Sequence, residues 1–510
     1  MSRSRLAIWN YSSAWLFTAV TLVGLVATRY LVFWLGESRW GAFRMMTDWL
    51  GYLSLFELGL SGALSPLLAR ALAANDPAKV RETLATGLRG FLAVTTLTLL
   101  LALGLWAGIT WLIPVDPLDE RDLRIAWGIS LISLLPMVVA PFRCLSDARQ
   151  RGYRINLALT LQSLMIFGLS MAFAKLGWGL TGQAAAMTLA VLPLVVILTC
   201  DGLAHSPGVF QTIATRPADP AVAQALISLA LPAFLISLSG RVSVLTDSLV
   251  VGNILGTTAA ARLVLTSKLA VMAQGLLQGI GASSWAALAE LHTQGRRDDF
   301  NRRLIELTGL VSLLAVTGLA PIIAYNHHFI TLWLGAERDA GEAVIVVGAV
   351  NALLLGLFSL WFWCFSGTGQ IHRMVPVTIV GASVNLVASV GLTHALGIIG
   401  PLLGSTLSFV SVSLWYLPWQ LQKTFGTSIR AIFQAALLPV ALGLPYALLL
   451  RLIAHSHKPW GWVGLGAEMG ISALAFLFLS AWLIFKPSER TLWIIRITQA
   501  FPILRKRTTQ

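Results

Sequence analysis

GLRGFLAVTTLTLLLALGLWAGITWLI, residues 87 to 113, decides the fold. Past Arg89 it carries no charge as far as Ile113, and a helix rising about 1.5 Å per residue needs about twenty such residues to cross the roughly 30 Å hydrocarbon slab of a membrane. It lacks the polar and apolar alternation of a barrel strand. Runs of this kind recur along all 510 residues. Fourteen windows emerge, at about 13–35, 42–67, 87–113, 124–142, 155–174, 177–200, 225–253, 258–287, 307–326, 343–366, 374–395, 397–418, 431–450 and 461–485. The sequence therefore predicts an all-α polytopic membrane protein.

Composition agrees, with 56% hydrophobic and 11% charged residues. Soluble domains carry about 25% charged residues, so a water-solvated globule is excluded, and so is a disordered chain. The 44 Gly and 20 Pro fall largely inside the apolar windows, where neighbouring helices re-satisfy freed backbone groups. Three cysteines, Cys144, Cys200 and Cys364, exclude a disulfide framework and a Cys-based metal site. The opening MSRSRLAIWN has a basic flavour, but its apolar run is too long for a signal peptide and reads as an uncleaved first span.

Lys and Arg in short links favour the cytoplasmic side. With both termini inside, 23 basic residues lie in cytoplasmic links, against 7 outside: Arg39, Arg121, Arg124, Lys175, Arg338, Arg451 and Lys458. The net charge of +14 is thus a consequence of topology, and no nucleic-acid partner is implied. The tail from Arg490 to Arg507 mixes Trp493 and Ile497 with basic residues and suits a helix lying on anionic lipid.

Sliding the chain along itself by 220 residues pairs Leu35-Gly36 with Leu255-Gly256, Gly59 with Gly279, Cys144 with Cys364, Gln150 with Gln370 and Leu176-Gly177 with Leu396-Gly397. In so Leu- and Gly-rich a chain the number of matches is no argument. Their single register is, together with the coincidence of two of three cysteines. The expectation is a parallel duplication: a lobe at 1–219 with spans one to six, a lobe at 220–420 with spans seven to twelve, and 421–510 holding two further spans and the basic tail.

Six basic residues fall inside spans: Arg29, Arg44, Arg89, Arg241, Arg262 and Lys268. A charge at the bilayer centre costs roughly 2.5–3.5 kcal/mol, so these should face water or partners. Arg29, Arg44, Arg241, Arg262 and Lys268 belong to the first two spans of each lobe and are the candidate cavity cations. Arg89, at a span edge, reads as a snorkelling residue. The acids of the same spans, Asp48, Glu57 and Asp247, are fewer, which leaves a positive excess suited to phosphate or pyrophosphate. Arg44 and Asp48, four apart, share a helical face and are placed to neutralise each other.

Gly177-Trp178-Gly179-Leu180-Thr181-Gly182 matches G-x-G-x-x-G but lies between two spans, so it reads as a tight turn with close helix packing. His455 and His457 lack a third ligand nearby in sequence and read as an exposed loop. No P-loop, H-E-x-x-H or nucleophile elbow occurs, and no sizeable soluble insert could gather catalytic groups. The expectation is a chain without enzymatic activity, metal or cofactor.

The segment LGESRWGAFRMMTDWLGYLSLFELGLSGALSPLLARALAANDPAKVRETLATGLRG, residues 35 to 90, resembles the polysaccharide transporter family, the Wzx-type oligosaccharide flippases of the multidrug/oligosaccharidyl-lipid/polysaccharide exporter superfamily. The resemblance rests on Leu35-Gly36 after span one, Gly41 opening span two, Glu57-Leu58-Gly59-Leu60 and the charged link after it. Asp247 with Val251-Gly252 and Leu255-Gly256 is similar to the family's span seven. The resemblance implies a V-shaped bundle in the bacterial inner membrane, acting as a monomer among membrane lipids. By alternating access it would move an isoprenoid pyrophosphate-linked glycan, an O-antigen or exopolysaccharide repeat unit, outward. It also implies H+ or Na+ coupling, for which Asp48, Glu57 and Asp247 are the positions to examine. The alternatives within the superfamily are a cation-coupled drug antiporter, which should gather acids rather than bases, and a lipid II flippase.

Overall fold

The structure, a computed structural model, describes residues 20, 23–74, 76–149 and 151–484. Every regular element among them is helical. In chain order the principal helices are α1 (Val23–Leu35), α2 (Glu37–Leu53), α3 (Leu55–Ala73), α4 (Pro77–Ala107), α5 (Pro117–Ala148), α6 (Gly152–Lys175) and α7 (Gly179–His205). There follow α8 (Pro220–Leu255), α9 (Thr257–Thr266), α10 (Lys268–Thr293), α11 (Arg297–Trp333) and α12 (Glu342–Gly367). The last are α13 (Val375–Leu396), α14 (Gly400–Ser408), α15 (Leu414–Phe425), α16 (Ile429–Ser456) and α17 (Gly461–Ile484).

Nine helices among the described residues are long and apolar enough to cross a membrane, or ten when α9 and α10 count as one broken span. The fourteen expected windows are therefore not all matched by helices that pass this test. α1, as described, is short, and α2 carries Glu37, Arg39, Arg44 and Asp48. The window 42–67 is two helices in the structure, parted at Ser54. The Ser54 hydroxyl donates to the Gly51 carbonyl at 2.9 Å, and Glu57 N–H turns to Ser54 O at 3.3 Å. A hydroxyl competing for ladder carbonyls bends or breaks a helix in this way. The basic tail at 490–507 lies outside the described residues.

The chain packs as two compact units, Met1–Val264 with Val375–Ser405, and Leu265–Met374 with Thr406–Gln510. These bounds differ from those of the expected lobes. In the first unit the core joins α3, α4, α5 and α7 through Leu64, Leu84, Phe91, Phe142 and Leu198. In the second, Leu277, Ala315, Leu319 and Ala352 join α10, α11 and α12. The buried Trp361 indole there donates to Thr308 Oγ1 at 3.0 Å. Between helices in lipid such contacts gain from close packing and hydrogen bonds rather than from release of water.

Two glycine pairs of the 220-residue register share a backbone shape. Gly36 and Gly256 have φ/ψ of 82°/160° and 91°/162°, each turning the chain into a new helix. Gly177 and Gly397 have φ of 76° and 72°. A side chain is disfavoured at such φ, which explains the residue type.

The G-x-G-x-x-G segment proves to be the capped start of α7. The Asp122 carboxylate accepts from Leu180 N–H at 2.6 Å and from Thr181 N–H at 3.0 Å, and a Cβ on Gly179 would lie 2.3 Å from that carboxylate. An anion on free N–H groups at the positive end of a helix is favourable. Arg89 donates to the carbonyls of Ile213, at 2.7 Å, and Arg216, so it caps the short helix Val209–Thr215 rather than snorkelling alone.

Candidate functional site: the seam between α2 and α8

Along α2, Ser38, Gly41, Met45, Asp48 and Tyr52 recur every three or four residues and so share one face. α8 is apolar almost throughout, but the run Thr246-Asp247-Ser248 interrupts it. The structure sets these two features against each other within the first unit. Tyr52 and Thr246 share a hydroxyl hydrogen bond at 2.5 Å. Ser248 donates to Asp48 Oδ2. Gly252 meets Met45 so closely that a Cβ would lie 2.1 Å from Met45 Sδ. Beyond the Gly256 turn, Gly41 faces the Thr257 carbonyl, Ser38 and Thr257 share a hydrogen bond at 3.0 Å, and Arg262 Nε donates to Glu37 Oε2 at 2.9 Å.

Asp48 sits at the centre of this seam, 2% exposed. Its Oδ1 pairs with Arg44 Nη2 at 2.9 Å while Oδ2 accepts from Ser248, so both oxygens are satisfied. Such satisfaction is what makes a buried charge tolerable. Asp247 is different: its Oδ1 is buried with no hydrogen-bond partner among the described residues. Two carboxylates at adjoining positions of one seam, one with both oxygens spent and one with an oxygen unspent among the described residues, form an arrangement that can take up a proton or a small cation.

The cations expected to line a cavity are placed as follows. Arg44 and Arg262 each hold a carboxylate, Asp48 and Glu37, with both guanidinium side chains 41% exposed. The neutralisation of Arg44 by Asp48 is thus observed, while Glu37 as partner of Arg262 was not anticipated. Arg29 is exposed on α1. Lys268 is half-buried at the start of α10, in the second unit. Arg241 lies on α8, and its side chain is outside those described. Glu57 is half-buried on α3 and accepts from Ser61 at 2.9 Å, apart from the Asp48–Ser248 contact.

Sequence reasoning missed the partners Tyr52, Thr246, Ser248, Ser38 and Thr257. Each is an ordinary hydroxyl in isolation. The available signal was the coincidence of a three-residue polar run on α8 with a polar stripe on α2.

Residues 10–286 match the polysaccharide biosynthesis protein family. Among solved structures, the chain is similar to the lipid II flippase MurJ in an inward closed conformation, at 13% identity and TM-score 0.69, covering 92% of this chain and 98% of that one. It is similar to an inward-facing multidrug resistance MATE family transporter of the MOP superfamily, at 16% identity and TM-score 0.58, covering 86% and 99%. A MOP superfamily transporter from Pyrococcus furiosus, described as having a binding pocket of reversed polarity, matches at 14% identity and TM-score 0.56, covering 88% and 96%. At these identities the likeness is one of fold. No curated protein sequence matches the chain.

Proposed function

The chain belongs to the polysaccharide biosynthesis protein family, and from that premise we propose that it is a flippase moving an isoprenoid pyrophosphate-linked oligosaccharide, an O-antigen or exopolysaccharide repeat unit, outward across the bacterial inner membrane. The family match carries this reading. The excess of bases over acids in the first two spans of each proposed lobe supports it, because a pyrophosphate headgroup must be met by cations in a medium that penalises bare charge. Arg29, Arg241 and Lys268 bind the headgroup, Arg offering forked donors to its oxygens. Arg44 and Arg262, which hold Asp48 and Glu37, complete the set of cations. Asp48 and Asp247 couple transport to H+ or Na+, with Glu57 as a further acid, and the two lobes alternate access around the cargo. Both termini are cytoplasmic, and the protein works as a monomer without enzymatic activity of its own.

A second reading, export of lipid II, is favoured by the likeness of fold to MurJ. A drug antiporter fits the MATE-like fold but not the basic excess. Purified protein in liposomes, assayed with a fluorescent undecaprenyl pyrophosphate-linked oligosaccharide, separates these. Changing Arg29, Arg241 and Lys268 together to Gln should slow flipping roughly tenfold or more, about 1.4 kcal/mol per decade. Undiminished flipping with normal membrane insertion would overturn the assignment of these cations. Flipping of lipid II alone selects the second reading, and efflux of ethidium alone selects the antiporter.

A further inference from the structure

The last turns of α11 and α16, the first turn of α12 and the link at Ala336–Asp339 enclose a cavity of about 500 Å3 in the second unit. This lies within the roughly 300–1,000 Å3 of small-molecule sites. Its polar wall contains none of the cations or acids invoked above. Arg451 is held by Glu342 through two contacts of 2.7 Å, and Asp339 is shared between His327 Nδ1 at 2.6 Å and Gly341 N–H at 2.9 Å. Arg451 and Glu342 thus cancel, and both Asp339 oxygens already accept hydrogen bonds, so counting Arg, Asp and Glu the wall keeps one formal negative charge and offers little attraction to a free anion. Among the described residues no group of three or more His, Cys, Asp or Glu is arranged to hold a metal ion.

The hydrogen-bonding capacity of the wall is not exhausted. Asn326 lines the cavity at 1% exposure, and its Nδ2 donates to Thr266 O at 3.2 Å. That bond fixes the amide's orientation and leaves Oδ1 as an acceptor with no partner among the described residues. His328 Nδ1, also buried, has none either. Unspent polar atoms at this depth carry a desolvation penalty that a bound hydroxyl would relieve. Between them the wall offers Ile323, Ile345 and Ala454 as apolar surface. Alternating acceptors, donors and apolar patches, with every ionised group already hydrogen-bonded, match a ring whose hydroxyls both donate and accept and whose C–H faces are apolar.

We propose that this cavity binds an uncharged saccharide ring, with Asn326, His328 and the Asp339 and Arg451 pairs as its hydrogen-bonding wall. The site stands on its own geometry, whichever cargo the seam and the basic residues serve.

Saturation-transfer NMR on the full chain in lipid nanodiscs tests it, with methyl glucoside, methyl galactoside and methyl N-acetylglucosaminide as neutral probes and glucuronate as the charged one. At least one neutral probe should show transfer. Its binding should weaken roughly tenfold in Asn326→Leu, the equivalent of about 1.4 kcal/mol. Ala336→Trp, which fills the cavity from its exposed rim and removes no hydrogen bond, should abolish it while the unfolding temperature stays unchanged. No transfer from any neutral probe, equal transfer in Ala336→Trp, or transfer from glucuronate alone would each overturn the proposal. A failed flipping assay leaves this outcome untouched, so the two readings fail separately.

Discussion

At the α2–α8 seam a carboxylate 2% exposed spends both oxygens on neighbours, whereas at the cavity of the second unit an amide 1% exposed keeps one oxygen unspent. Around Asp48 there is no slack: Gly41, Gly252 and the hydroxyls Tyr52, Thr246 and Ser248 bring α2 tightly against α8 and the start of α9, although Asp247 Oδ1 on α8 stays unspent among the described residues. The cavity is built from helix ends and a link, where backbone diverges and side chains pair across a gap. Close helix approach ties Asp48 into the packing, whereas at the helix ends around the cavity Asn326 keeps an acceptor unspent. The two regions should therefore respond to mutation in opposite ways, with the seam losing stability and the cavity losing ligand.

The largest effect belongs to Gly41. A Cβ there would lie 2.0 Å from the Thr257 carbonyl oxygen, a backbone atom that cannot swing aside. Gly41→Ala should destabilise the protein by about 3 kcal/mol, the upper end for overpacking, read as a lowered unfolding temperature in detergent. Gly252→Ala meets Met45 Sδ at a nominally similar 2.1 Å, but a thioether has three rotatable bonds and can move away, so its cost should stay below about 1.5 kcal/mol. Equal effects would mean that the seam yields as a whole, and the contrast between rigid and adaptable contacts would fall.

Next comes the charge at its centre. Arg44→Gln leaves Asp48 buried with Ser248 as its remaining partner and should cost about 1–3 kcal/mol. Adding Asp48→Asn removes the orphaned charge and should recover most of that loss, since an uncompensated charge costs more than a missing pair. A double-mutant cycle by thermal unfolding measures this. Additive losses would place Arg44 and Asp48 in separate roles.

The sequence made the helices legible because the period and length of apolar runs are local properties. Apolar content could not reveal the break at Ser54, since the competing hydrogen bond comes from one hydroxyl inside an otherwise continuous run. The expected 220-residue register coincides with a shared backbone geometry at Gly36 and Gly256, where conformation dictates residue type, and finds few matches where apolar Leu and Val are interchangeable. Of the candidate residues, Arg44 and Asp48 could be paired from spacing alone, being one turn apart on one helix. Glu37 with Arg262, and Asp48 with Ser248, are joined across 225 and 200 positions, and no local pattern records such contacts. His455 read as an exposed loop residue for the same reason: Asn326, His327 and Asp339, which line the cavity with it, lie more than a hundred positions away.

The smallest effect separates ion pairs that merely close a wall from those that hold a fold. Arg451 and Glu342 are 50% and 49% exposed, so solvent and salt screen their attraction even though the geometry is bidentate. Arg451→Gln should change stability by less than about 1 kcal/mol, and less still at high ionic strength. By releasing Glu342 it would make the cavity more negative, so binding of a neutral glycoside should weaken only modestly while glucuronate is further excluded. A stability loss as large as that of Arg44→Gln would mean that the cavity pair carries the fold as the seam does, and the distinction between the two regions would have to be drawn on something other than burial.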